Sequence, residues 1–158
     1  MKRIIKRVIT RSSLAYLFTL LSGCMVLPLK QNDPDQSLNW CPPLPNCAST
    51  EAVTFVHSIQ PFKLNMEWED VWPIIREEVN ALQGTSIKHE YPGYIYAKSY
   101  SRVFHFLDYF EVLAIPDRNE LSVRSSSLLG ITDFFVNYLR TEQFRERLEE
   151  KGIIKEKD

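Results

Sequence analysis

Glycine is scarce, five in 158 residues, and none of the five falls into a nucleotide-binding pattern. No nucleotide cofactor, and no cofactor of any other kind, is expected from the sequence. Histidine is scarcer: His57, His89 and His105 stand apart, with no ligand spacing such as HxxxH, so no metal site is expected. No nucleophile–histidine–acid order stands out, and no catalytic residues are assigned. Long apolar runs are missing as well; the stretch from Leu14 to Leu21 is too short for a spanning helix. Cysteine is confined to Cys24, Cys41 and Cys47. Basic residues are few once the N-terminus is set aside. Residues 1–23 hold Lys2, Arg3, Lys6, Arg7 and Arg11 and no acid, whereas the remainder holds 14 basic and 20 acidic residues, a net charge of −6. Such a balance argues against nucleic acid as a partner, because phosphate binding needs a basic surface.

What is present begins with an export signal. The basic start is followed by the apolar run, small residues and a cysteine, which predicts a signal peptide over 1–23. Leu21-Ser22-Gly23-Cys24 resembles the lipobox of bacterial lipoproteins. The resemblance implies cleavage before Cys24, a diacylglycerol on its thiol, and attachment to a membrane of the bacterial cell envelope. Met25 follows the cysteine in place of Asp, which by similarity to the sorting rule of enteric-type bacteria favours the periplasmic face of the outer membrane. Residues 24–39 contain Pro28, Asp33, Pro34 and Asp35 without periodicity and are expected to be a lipidated tether. Cys41-Pro42-Pro43-Leu44-Pro45-Asn46-Cys47 then predicts a disulfide in an exported chain. A metal or redox pair is the alternative, although five intervening residues do not make a CxxC motif.

A single domain is expected over 40–152, with 153–158 as a tail. Residues 53–63 read as extended. Trp68, Val71, Trp72, Ile75, Val79 and Leu82 mark one face of a helix ending at Gly84. Pro73 falls in its first turn if Asp70 is the N-cap, and kinks it if the helix starts at Asn65. Thr85–Tyr91, Tyr94–Ser101, Tyr109–Ile115 and Glu120–Ser126 are predicted strands. Pro116-Asp117-Arg118-Asn119 has hairpin-turn composition. Gly130 marks a strand-to-helix turn, with an anion cradle as the less favoured reading. A long helix follows, with Thr132 as N-cap and Asp133 in its first turn. Its apolar face is expected to be Ile131, Phe134, Phe135, Tyr138 and Leu139, and its charged outer face Arg140, Glu142, Arg145, Glu146 and Arg147. The fold class is therefore α+β: one antiparallel sheet of about four strands, with an N-terminal and a long C-terminal helix packed on one face.

A four-residue loop at 116–119 pairs Ile115 with Glu120 and sets the register of the hairpin. Glu111 then falls opposite Arg124, and Tyr109 opposite Ser126. Phe110, Val112, Ala114, Leu121 and Val123 occupy the other face, the natural core face. Glu111 and Arg124, with Tyr96 and Tyr109 near them, form the candidate binding or structural polar face. The plainer expectation for it is a solvated face with a cross-strand ion pair worth roughly 0.2–1 kcal/mol.

Several segments together resemble an uncharacterised bacterial family, "domain of unknown function 1499". They are CPPLPNC, His57-x-Ile59-x-Pro61, Tyr94-Ile95-Tyr96-Ala97, Asp108 with Glu111, and Val123-Arg124-Ser125 through Ser127, Gly130, Asp133, Val136-Asn137, Arg140 and Glu142. The resemblance covers roughly 40–148. The chain departs from the family's pattern at Tyr109, Leu128, Phe135 and Tyr138, where a second acid, an Arg, a nearby Gly and a nearby basic residue are common. The resemblance implies a fold and a membrane-linked setting and no activity. The expectation is thus a lipid-anchored envelope protein whose domain binds an unknown protein or small molecule without catalysis. An envelope enzyme lacking a recognisable motif is the alternative.

Overall fold

The computed structural model describes residues 38–102, 105–128, 130, 133 and 135–157. The expected signal peptide, Cys24, all of the tether before Leu38, and Ile131, Thr132 and Phe134 lie outside them. The described chain is α+β, with the element order β1 (Cys47–Ser49), β2 (Phe62–Lys63), α1 (Trp68–Ala81), β3 (Thr85–Tyr91), β4 (Tyr94–Tyr100), β5 (Leu107–Ile115), β6 (Glu120–Ser127) and α2 (Val136–Glu150). A 3₁₀ turn at Pro116–Arg118 joins β5 to β6, and Asn119 closes it in the left-handed region at φ 48°. Among these residues no helix is long and apolar enough to cross a membrane.

The sheet has six strands rather than four, all antiparallel, in the order β1-β6-β5-β4-β3 with β2 also paired to β6. The two additional strands share one edge. Cys47–Ser49 pairs with the end of β6 and Phe62–Lys63 with its beginning. Both are too short to show an alternating pattern. The stretch between them is not the extended segment expected from residue 53. It turns tightly, with the amides of His57 and Ser58 both donating to the Thr54 carbonyl. The predicted hairpin register holds: Glu111 pairs with Arg124, Tyr109 with Ser126 and Ile115 with Glu120.

Alternation along the strands gives each sheet face its own contents. Ile95, Ala97, Phe110, Val112, Ala114, Leu121 and Val123 join Val71, Ile75 and Val79 of α1, and Phe144 and Leu148 of α2, in one apolar cluster. Helix α1 begins at Trp68, two residues before Asp70, so Pro73 lies inside it. Gly84, at φ 68°, returns the chain from α1 into β3. A Cβ there would stand 2.7 Å from the Tyr100 carbonyl oxygen, so no larger residue fits. Buried Glu78 of α1 binds Arg147 and Lys151 at 2.5 and 3.1 Å, linking the end of α2 to α1. Ile153 and Ile154 are buried in the same cluster, so the expected tail starts with two core residues.

Candidate functional site

The expected polar face assembles as a unit. Tyr96 is paired with Glu111 across β4 and β5, and Glu111 with Arg124 across β5 and β6. Arg124 Nη1 donates to Glu111 Oε2 at 2.6 Å, and the Tyr94 hydroxyl donates to Oε1 at 2.8 Å. Tyr96 and Tyr109 stack with ring centroids 5.6 Å apart. The face is not solvated, however. Glu111 and Arg124 are both buried, because residues 38–40 lie across them. Leu38 packs on Tyr94 and Leu113. Asn39 Nδ2 donates to Glu111 Oε1 at 3.4 Å, and the Trp40 carbonyl accepts from Arg124 Nη2 at 3.4 Å. The Cys41–Cys47 disulfide ties this covering segment to β1. Low polarity raises all three phenols: Tyr94 by burial and then by the Glu111 charge, Tyr96 by burial and then by Tyr109, and Tyr109 by burial. The ensemble is a buried structural network, closed to a ligand while the cover is in place.

A second cluster was not anticipated, and it lies at the start of α2. The described residues of the apolar face expected for this helix point to water: Phe135 is 74% and Leu139 61% exposed, and Tyr138 is exposed too. The buried stripe is instead Asn137, Arg140, Thr141, Phe144, Arg145 and Leu148. Arg140 and Arg145, expected on the charged outer face, are therefore inside. Polar partners in the sheet receive Arg140. Arg140 Nη2 donates to Asp108 Oδ2 at 2.7 Å, and Nη1 donates to Ser125 Oγ and Asn137 Oδ1 at 2.9 and 2.8 Å. Asn137 Nδ2 donates to Ser127 Oγ, the Asn46 carbonyl and Asp133 Oδ2. Asp133 also accepts the backbone N–H groups of Phe135 and Asn137, and so caps the helix. Asn46 Nδ2 closes the circuit on the Gly130 carbonyl at 2.8 Å. Arg145 lies 3.8 Å over the Phe62 ring and donates to the carbonyls of Gln60 and Pro61.

This network floors an open cleft of about 280 Å³, whose lining includes Gln83, Tyr100, Arg102, Val136, Leu139 and Arg140. Three of the five N–H donors of Arg140 are spent below the floor. Asp108 Oδ1 meets no hydrogen-bond partner among the described residues despite its burial. Among the described residues no acidic side chain lines the cleft, while two arginines do. Exposed Phe106 accepts a backbone hydrogen bond from Ser101, another lining residue. Such a site suits a ligand with an anionic or carbonyl head and an apolar body.

The histidines remain apart. His57 is buried with Nδ1 3.0 Å from the Cys47 carbonyl oxygen, and His89 packs beside Tyr96. Among the described residues no group of three or more His, Cys, Asp or Glu side chains is placed to hold a metal ion. A periodicity search misses the Arg140 cluster because the buried stripe is polar. The signal was present in another form, since Asp108, Ser125, Ser127, Gly130, Asp133, Asn137 and Arg140 are all among the residues that carry the family resemblance. In comparison with known proteins, the family model described as "Protein of unknown function (DUF1499)" matches residues 37–148. The comparisons with curated proteins and with solved structures each return no match.

Proposed function

The chain belongs to the DUF1499 family of proteins of unknown function, and from that premise we propose that it is a lipid-anchored protein of the bacterial cell envelope whose domain binds a ligand without transforming it. The lipobox-like Leu21–Cys24 supports the anchor, and Met25 supports the periplasmic face of the outer membrane. The Cys41–Cys47 disulfide suits an oxidising compartment outside the cytoplasm.

The observation that carries the binding role is the inverted helix α2. Burying Asn137 and Arg140 while leaving Phe135 and Leu139 in water runs against the hydrophobic ordering of a helix. Phe135 is in addition held at φ 65°, a region unfavourable for a side chain of its size. The cleft sets apolar Val136 and Leu139 beside a buried arginine, which suits an amphiphilic molecule with an acidic head. The Glu111–Arg124 face then serves the fold, with its cover, and the Arg140 cleft serves binding.

The reading is tested by purifying the protein from its own membranes in mild detergent and recording its native mass, alongside Leu139→Asp and Arg102→Glu. Both positions are exposed, so neither change touches the core. The expected result is a bound small molecule in the parent protein that is lost from the variants. Full complementation of a deletion phenotype by both variants, with no bound mass in any of the three proteins, overturns the reading.

A further inference from the structure

The loop between β1 and β2 holds Val53 at 99%, Phe55 at 96% and Val56 at 72% exposure. Its three exposed apolar side chains set it apart in chemistry from the Arg140 network. It is also well built. The Thr50 N–H donates to the Val123 carbonyl, the Ser49 N–H to the His57 carbonyl, and the His57 and Ser58 amides to the Thr54 carbonyl. The backbone is therefore tied down at its base while its apolar side chains project outward. Exposed apolar side chains grouped on a rigid loop mark a contact surface rather than ordinary surface composition.

The position of the chain's N-terminal segment selects the occupant. The Leu38 N–H donates to Glu51 Oε2 at 3.2 Å, so the described chain enters directly beside the base of this loop. Trp40, 68% exposed, follows two residues later. Cys24 precedes Leu38 by 14 residues, which span at most about 50 Å even when fully extended. We infer that Val53, Phe55 and Val56, together with exposed Trp40 of the entering segment, dip into the lipid bilayer that holds the anchor and fix the orientation of the domain on it. Valine and phenylalanine enter the acyl region, and tryptophan suits the headgroup level. The loop needs little affinity of its own, because an anchor on the same chain makes its contact intramolecular. The inference rests on the lipid-anchor reading of Cys24.

The test attaches the mature chain, from Cys24 onward, to vesicles of phosphatidylethanolamine and phosphatidylglycerol in two ways. One uses protein purified with its native modification. The other couples the Cys24 thiol of unmodified protein to a maleimide lipid, Cys41 and Cys47 being held in their disulfide. Phe55→Trp is compared with Lys88→Trp, which lies on β3 at the opposite edge of the sheet. With lipids brominated in the acyl chain, the added fluorescence of Phe55→Trp should be quenched at least threefold more than that of Lys88→Trp. Equal quenching at both positions in both preparations overturns the inference. The intact mass of the native protein reports Cys24 separately. An unmodified Cys24 together with strong quenching in the maleimide-coupled preparation removes the native anchor but keeps the membrane-seeking loop.

Discussion

Glu111 and Arg124 meet at 2.6 Å with almost no exposure of either side chain, so they behave as a buried ion pair. Removing one partner leaves the other charge buried and unpaired. Glu111→Gln and Arg124→Met should each cost about 3–5 kcal/mol, whereas replacing both by apolar residues should cost clearly less than the sum. Denaturant midpoints of the two single variants and the double variant check this. Single losses below about 1 kcal/mol would return the pair to the solvated class. The tyrosines add a dependence on pH. Tyr94 is raised well above the ordinary phenol value, first by burial and then by the Glu111 charge and hydrogen bond. The unfolded chain releases this proton near pH 10, before the folded one does. The stabilisation is therefore complete below pH 10 and is lost as pH rises above it, by about 1.4 kcal/mol per pH unit for this tyrosine alone. Tyr96 and Tyr109 act in the same direction. Melting temperature should fall steeply above pH 10, with the tyrosinate absorbance of Tyr94, Tyr96 and Tyr109 appearing only on unfolding. Tyrosinate formation in the folded protein by all three phenols near pH 10 would contradict the assignment. The proximity of Glu111, Arg124, Tyr96 and Tyr109 was legible, because strand alternation and one four-residue turn fix the register. Their burial was not, because the covering residues 38–40 show no periodicity that indicates where they dock.

Among the elements, α2 departs most from its sequence pattern. Its apolar residues Tyr138 and Leu139 set one phase, and the folded helix adopts another in which Asn137, Arg140 and Thr141 face inward. Propensity and periodicity are overruled here by partners far away in sequence, Asp108, Ser125 and Asn46, that no local window contains. The short strands β1 and β2 escape for a different reason: three and two residues are too few to alternate. Strands β3 to β6 were legible within two residues at their ends, since each has seven or more residues over which to alternate. The strained entrance of α2 gives an element-level prediction. Phe135→Gly removes a largely exposed side chain from a left-handed position at φ 65°. Stability should rise by up to about 1 kcal/mol, the relief of strain exceeding the added freedom of the unfolded chain. A loss of stability, read from the thermal midpoint, would show that the Phe135 ring supports the fold and is not held there for binding.

At the scale of the whole molecule, the two faces of the sheet do different work. One carries the apolar cluster shared with the helices, and its polar end supports the Arg140 cleft. The other is closed by the disulfide-linked segment that leads toward the N-terminus. A lipid anchor on Cys24 would connect to the domain on the covered face and leave the cleft free to receive a ligand. The most direct measurement is calorimetric titration of the purified domain with decanoate and with decyltrimethylammonium, which share chain length and differ in the sign of the head. The account predicts saturable binding of decanoate that Leu139→Asp weakens at least tenfold, with no binding of the cation. Equal uptake of both amphiphiles, or decanoate binding untouched by Leu139→Asp, would contradict it.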